Sequence, residues 1–379
     1  MSNADRYDVA IIGGGLAGLS LAIQSASAGY ATVLFEKEKY PFHKVCGEYI
    51  SLESWDFLED LGVPLSQMNL PVIRELLVSA PSGKTLEQQL PLGGFGISRY
   101  KLDAMLATIA KQRGVRVLED TKVSDIFFEN EIFQLATSQQ NFAAKIVAGC
   151  FGKRSNLDVK WKRPFVLQKP NKLNHYIGVK YHIRIPWPEE LIALHNFRNG
   201  YAGISKIEND ACCFCYLTTA DNLEASGHSV PEMEKNILSQ NPHIKDLLER
   251  AEILYSSLVT ISQVSFAKKS QVHDHVLLLG DAAGMITPLC GNGMSMAMHA
   301  AKIAFRQIDL FMQKKIPRWQ MEQDYAGQWQ KQFSSRLRTG RIIQRFFGSP
   351  VLSNLLVASL DKLPRLAKKL IQSTHGQPF

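Results

Sequence analysis

Apolar and polar positions follow two rhythms along this chain, and each predicts a different kind of element. Residues 9–12 and 32–35 are short unbroken apolar runs, separated by glycines and by the small-residue stretch 19–28. Runs of that length read as strands buried on both faces, with a helix between them. Helical spacing returns at 51–61 and at 100–113, where Leu102, Met105, Leu106 and Ile109 share a face and Gly114 stops the helix. Residues 72–92 instead alternate apolar with polar positions, broken by Pro and Gly, which predicts antiparallel strands. Further strands are expected at 115–118, 122–128, 133–137 and 145–148, followed by a loop at 149–155. From 174 to 265 the pattern is mostly strands, at 176–185, 201–207 and 212–218, with helical inserts at 233–238 and 244–249. Residues 276–279 read as a buried strand returning to the first sheet, 293–311 as a long helix, and the rest as largely helical.

Two glycine-rich junctions turn this pattern into chemistry. Gly13-Gly14-Gly15-Leu16-Ala17-Gly18 joins the first strand to the first helix. Gly13 allows the sharp turn, Gly15 lets a pyrophosphate approach the backbone, and Gly18 lets the helix pack closely on the strand. The helix start offers unpaired N–H groups and partial positive charge to phosphates. Glu36 ends the second strand roughly 20 residues beyond the turn, where a carboxylate accepts hydrogen bonds from a ribose 2′-OH. The second junction places Gly280-Asp281 after a strand, then Pro288, Gly291, Asn292, Gly293 and Met294 at the start of the long helix. An aspartate there suits a ribityl hydroxyl, and the helix start suits an anionic flavin ring edge.

Composition narrows the picture only a little. The 379 residues suggest two domains, or one large domain with an inserted sheet. With 45% hydrophobic and 21% charged residues the chain reads as a globular enzyme. No stretch approaches the roughly 18 apolar residues of a membrane span. A start without a basic flank or cleavage site points to a cytoplasmic protein. The net charge of +8 favours anionic ligands or a membrane surface; with no nucleic-acid motif, nucleic acid is not an expected partner. The six cysteines make no paired zinc framework, so no metal is expected and Cys212, Cys213 and Cys215 read as buried thiols in a strand.

On these segments the chain resembles the FAD-dependent oxidoreductases that comprise aromatic-ring hydroxylases (group A flavin monooxygenases), geranylgeranyl reductases and flavin-dependent halogenases. The resemblance rests on GGGLAG at 13–18, GDAAG at 280–284 and PLCGNG at 288–293, and spans about residues 7–310. It implies an α/β fold: a Rossmann-like FAD-binding domain of glutathione-reductase type, an inserted mostly antiparallel β-sheet substrate domain, and a helical C-terminus. The FAD-binding parts would be 1–70, 99–160 and 269–315, the substrate parts 71–98 and 161–268, and the helical region 316–379. Lys44-Val45-Cys46-Gly47-Glu48 is similar to the reductase and halogenase loop beside the flavin. Ser98-Arg99-Tyr100-Lys101-Leu102-Asp103 resembles the segment whose arginine contacts the cofactor, a role passed to Arg99. Lys122-Val123 resembles the strand that holds adenine through its backbone. The implied FAD site is therefore Gly13, Gly15, Leu16, Ala17, Gly18, Glu36, Lys37, Lys44, Cys46, Arg99, Val123, Asp281, Pro288, Gly291, Asn292, Gly293 and Met294.

Two departures from the family pattern bear on the reaction. The hydroxylases carry an Asp-Gly pair where this chain has Gly149, which weakens the case for their style of NAD(P)H handling. Reductases and halogenases carry a tryptophan where this chain has Gly203, and an apolar-Pro pair where it has Ser205-Lys206. The implied substrate pocket, Tyr201, Gly203, Ser205 and Cys290, is then roomier and more polar. The Trp-x-Trp-x-Ile-Pro run of halogenases is absent, so halogenation is not expected. A C=C reductase needs a proton donor; Cys46, Cys290, Tyr201 and His299 are candidates, each with an ordinary structural reading. The sequence thus favours a monooxygenase acting on an aromatic or polyketide-like molecule, with NAD(P)H as transient donor, over reduction of an isoprenoid or lipid C=C bond, and over a non-catalytic flavin holder. Apolar residues at near-helical spacing in 346–372, with basic neighbours, suggest either a core-packing helix or a hydrophobic lid or interfacial contact for a lipid-like or carrier-bound substrate; Pro350 and Pro364 break the segment, so one long membrane-lying helix is not expected, although a peripheral membrane contact is compatible with it.

Overall fold

The two rhythms separate into two mixed sheets in the computed structural model, which describes residues 5–169, 174–255, 257–287, 291–346, 349–374 and 376–379. The first sheet runs Val272–His273, Val276–Leu278, Asn141–Gly149, Asp5–Ile12, Thr32–Phe35, Arg116–Leu118. Its pairings from Val276–Leu278 to Arg116–Leu118 are parallel. A hairpin, Val123–Glu129 with Ile132–Thr137, adds to Asn141–Gly149 antiparallel. Val9, Ala10, Ile11, Val33 and Leu34 are completely buried, as their unbroken apolar runs require. The Leu16–Ser27 helix packs against both Arg99–Gln112 and Gly293–Met312.

The second sheet runs Glu252–Ile253, Tyr176–Arg184, Cys212–Thr219, Gly200–Lys206, Leu191–Phe197, Val72–Ser79, Thr85–Gly96, Tyr49–Ser51, with Val259–Val264 also beside Tyr176–Arg184. Only Leu191–Phe197 with Val72–Ser79 is parallel. One face buries Ala202, Ile204, Phe214 and Tyr216 under Met233, Leu238, Ile244 and Leu247 of the helical inserts. The opposite face carries Tyr201, Leu194 and Leu217, which pack with Val357 and Leu360 of the C-terminal helices.

Two elements differ from the sequence expectation. Leu191–Phe197 is an unexpected strand, because His195 and Asn196 break its apolar alternation. Both are buried beside Asn241, whose Nδ2 donates to Ser79 Oγ and to the carbonyls of Ala80 and Asn196, so the network replaces water. The expected helix at 51–61 is divided: Tyr49–Ser51 joins the sheet, Leu52–Ser54 forms one tight turn, and only Trp55–Asp60 is α-helical. Pro350 and Pro364 do break the C-terminal segment, as the first residues of separate helices, Pro350–Lys362 and Pro364–Thr374.

Candidate functional site

The glycine turn works by close contact on one side and open charge on the other. A Cβ at Gly18 would sit 2.0 Å from the Gly13 carbonyl oxygen, so helix and strand could not meet as they do. A Cβ at Gly15 would meet nothing nearer than Arg99 Nη2 at 3.6 Å and Lys44 Nζ at 3.7 Å. Two cations thus flank an accessible backbone at a helix N-terminus, a setting that fits a pyrophosphate. Both cations share one carboxylate: Asp103 takes two 2.7 Å bonds from Arg99 and lies 3.1 Å from Lys44. Burial pushes Asp103 upward, but Arg99 and Lys44 together hold it below the usual carboxylate range. Sequence reading found Arg99 and Lys44 and missed Asp103, although its i,i+4 spacing from Arg99 was a usable signal.

Glu36 is buried at the end of its strand and accepts hydrogen bonds from Gly14 N at 2.9 Å and Glu38 N at 3.1 Å. It therefore braces the glycine turn, in addition to the ribose role proposed for it. Tyr40 braces the same turn from outside, donating its hydroxyl to the Gly14 carbonyl at 2.6 Å. Tyr40→Phe removes one such bond, worth about 1 kcal/mol. Roughly fivefold weaker FAD binding is expected in a titration of apoprotein, with the fold unchanged.

Other expected positions fall around this core. Gly280 lies against Ala17 and Ala297, bringing the second junction to the first. Asp281 is half-buried, and burial raises its carboxyl against the pull of Lys269, Arg99 and Lys153. Lys269, a further residue the sequence did not mark, donates 2.7 Å bonds to the carbonyls of Lys153 and Asp281. The half-buried Cys46 has its sulfur 3.5 Å from that of Met294, at the start of the Gly293–Met312 helix. Burial raises the Cys46 thiol, so it is a poor thiolate. Gly291, Asn292 and Gly293 form the lead into that helix. Leu16 is buried in the first helix, and Val123 begins its hairpin with its carbonyl taking a 3.3 Å bond from Asn156. Lys37 stands away, largely exposed beside Glu38. Pro288 and Cys290 lie outside the described residues. A Cβ at Gly149 would strike the Phe151 ring at 2.6 Å, so a side chain at the hydroxylase aspartate position has no room here.

The candidate substrate positions meet a feature the sequence did not disclose. Tyr201, Gly203 and Ser205 point to one face of the second sheet. Pairing aligns Gly203 with Cys215 and Lys180, and Ser205 with Cys213 and His182. Glu48, from the loop beside Cys46, reaches this face. Its Oε1 accepts from Lys180 Nζ at 2.5 Å and from Arg99 N at 2.8 Å, and its Oε2 lies 2.6 Å from His182 Nε2. Lys180 and Glu48 side chains are 0% exposed. Burial pushes Glu48 upward, yet the His182 hydrogen bond and the Lys180 charge outweigh it and hold the carboxyl below its ordinary range. Glu48 also sits at φ 55°, a left-handed backbone costing a non-glycine residue on the order of 1–3 kcal/mol. With Glu48 ionised, His182 Nε2 is the donor of this bond, and in the neutral ring Nδ1 is the acceptor. Ser205 Oγ is buried without a hydrogen-bond partner among the described residues. The earlier donor candidates are plainer: Tyr201 packs into an apolar cluster, and His299 stacks on Phe379 with its pKa pushed down to about 4 by burial.

Glu48, His182 and Cys213 also present ligand atoms within 4.8 Å of one another. The set is already satisfied without a metal. Lys180 neutralises Glu48, and the Cys213 thiol, raised well above its usual value by burial, lies 3.2 Å from the Cys46 carbonyl as its donor.

The FAD_binding_3 family model, described as an FAD binding domain, matches residues 6–322, a range that contains both glycine junctions. The chain belongs to this FAD-binding family. The family is one of FAD-dependent oxidoreductases, and the chain's neighbours include a geranylgeranyl reductase-like protein, flavin-dependent halogenases and a probable FAD-dependent monooxygenase. Conditioned medium factor receptor 1 of Dictyostelium discoideum is 22% identical, over 94% of this chain and 74% of its own length. Digeranylgeranylglycerophospholipid reductase of Methanocaldococcus jannaschii is 25% identical, over 98% and 92%. The structure of PqsL from P. aeruginosa in complex with 2-aminobenzoylacetate shares the fold with a TM-score of 0.72 at 14% identity, over 92% of this chain and 98% of that one.

Proposed function

We propose that this FAD-dependent oxidoreductase is a monooxygenase that hydroxylates an aromatic or polyketide-like small molecule carrying a phenolic hydroxyl. In this reading the first sheet is Rossmann-like, of glutathione-reductase type, and the second is the inserted substrate domain. The observation that carries the proposal is the Glu48–His182 pair on the face shared with Gly203 and Ser205. Bound FAD, once reduced, supplies oxygen activation. A phenol becomes a far better carbon nucleophile when it loses its proton. His182 Nδ1 is the acceptor for that proton, and ionised Glu48 stabilises the imidazolium that results. Lys180 keeps the buried carboxylate charged. Gly203 sets no side chain on this face, where Leu194 lies 3.4 Å from the position its Cβ would take, and Ser205 Oγ offers the substrate a hydrogen bond. NAD(P)H binds transiently and gives two electrons; one oxygen atom enters the ring and the other leaves as water.

A second reading, reduction of an isoprenoid or lipid C=C bond, draws on the Lys44–Glu48 loop and on the length shared with the archaeal reductase. There the same histidine would deliver a proton. Anaerobic reduction with NADH or NADPH, followed at the flavin band, separates the two. The monooxygenase reading expects the reduced enzyme to consume oxygen and convert a phenol to its hydroxylated product in equal amounts. Anaerobic reoxidation of the flavin by an isoprenoid alkene, with no phenol converted in air, would replace it with the second.

A further inference from the structure

We infer that the outer faces of the Pro350–Lys362 and Pro364–Thr374 helices form a docking surface for an anionic lipid bilayer. Each helix has two unlike sides. Val357, Leu360 and Ala367 are buried in the cluster that includes Tyr201, Leu194 and Val78, so the inner sides roof the sheet face carrying the candidate substrate positions. The outer side of the first helix is not polar, as a solvated face would be, and that of the second sets Leu366 among cations. Val351 is 74% exposed, Leu355 66%, Leu363 52%, Leu366 53% and Leu352 42%. Val351, Leu352 and Leu355 share one side of the first helix by spacing, and Leu363, which caps that helix, and Leu366, at the start of the second, follow them. Arg365, Lys368 and Lys369 are exposed beside them. Apolar residues flanked by cations are the composition of a helix lying in a membrane interface.

Charge decides between the occupants. A second copy of the chain, docked by two-fold symmetry, would bring two sets of Arg365, Lys368 and Lys369 against each other. An anionic bilayer pairs the same cations with lipid headgroups, each worth about 1 kcal/mol near the surface, while the leucines enter the acyl boundary. No helix among the described residues is long and apolar enough to cross a membrane, so the contact is superficial. The inference does not depend on which reaction the flavin performs.

The test is sedimentation of the full-length, FAD-loaded protein with phosphatidylcholine vesicles, with and without about one-third phosphatidylglycerol. Binding is expected with the anionic vesicles and falls with added salt. Leu355→Asp with Leu366→Asp should weaken it by about tenfold or more while flavin content and circular dichroism stay unchanged, because both side chains are exposed. Absence of binding to either vesicle would overturn the inference. So would a concentration-dependent dimer abolished by the same pair, which would give the surface to a second copy. Since vesicle binding reads no turnover, its failure and that of the monooxygenase reading are distinguishable.

Discussion

Lys180→Met is expected to destabilise the protein by about 3–5 kcal/mol, the cost of leaving one member of a buried ion pair without its partner. Methionine matches the lysine stem closely, so packing loss is small and the effect isolates the charge. Glu48 would remain on a left-handed backbone, inaccessible to water, with the His182 and Arg99 N–H groups as its remaining partners. Urea unfolding of apoprotein measures the loss without interference from cofactor binding. The double variant Lys180→Met with Glu48→Gln should recover most of it, since a neutral amide accepts from Arg99 N and leaves no buried charge. The pH dependence has a defined sign. In the wild type, Glu48 has a lowered carboxyl pKa, so its contribution is complete above the unfolded glutamate value, about 4.3, and is lost as pH falls through the lower folded value. In the single variant burial dominates, the carboxyl pKa rises, and the variant gains stability as acid neutralises Glu48. The gap between the two proteins should therefore be widest near neutral pH and close as the pH falls toward 4. A gap independent of pH would mean that Lys180 supports the sheet through its hydrocarbon stem instead.

The parts of this molecule that were legible in the sequence are those set by local pattern. The parallel strands announced themselves as unbroken apolar runs, and the glycine turn as spacing that only close backbone contact explains. Arg99 and Lys44 were legible through resemblance, and the structure brings them within 4 Å of the position a Gly15 Cβ would occupy. What was hidden depends on partners distant in the chain. Glu48 and His182 are 134 residues apart, and nothing local to either one marks the contact. The trace was Lys180 and His182 two residues apart, with Arg184 the one other charged residue of the strand, a spacing that places both on one face. Polar residues in such a run mark a site only when the register of the sheet is known. The strand Leu191–Phe197 was hidden for a related reason: His195 and Asn196 look like loop residues until Ser79 and Asn241 supply their surroundings. The C-terminal helices were half legible, since the spacing of their leucines does not say which side the sheet covers.

His182→Gln should lower turnover of an ordinary phenol by about 10²–10⁴-fold, the usual contribution of a positioned general base. Glutamine retains an N–H for Glu48, so the buried carboxylate keeps a donor and FAD affinity should stay near the wild-type value. It lacks the acceptor at Nδ1. The loss should then fall on kcat more than on KM, because the group acts as the proton leaves and contributes little to ground-state binding. The pH profile gives a more selective readout. Without the base, kcat/KM should rise with pH toward the phenol's own ionisation and flatten only beyond it. A nitro-substituted phenol, already ionised at neutral pH, should be hydroxylated almost equally by variant and wild type. That rescue depends on substrate acidity alone, so a merely distorted pocket would not produce it. If the variant lost both phenols equally while retaining flavin and fold, His182 would be holding the site in shape and the base would have to be sought elsewhere. If it lost alkene reduction instead, with a solvent isotope effect that disappears together with the histidine, the pair would be delivering a proton, and the lipid reductase reading would take precedence.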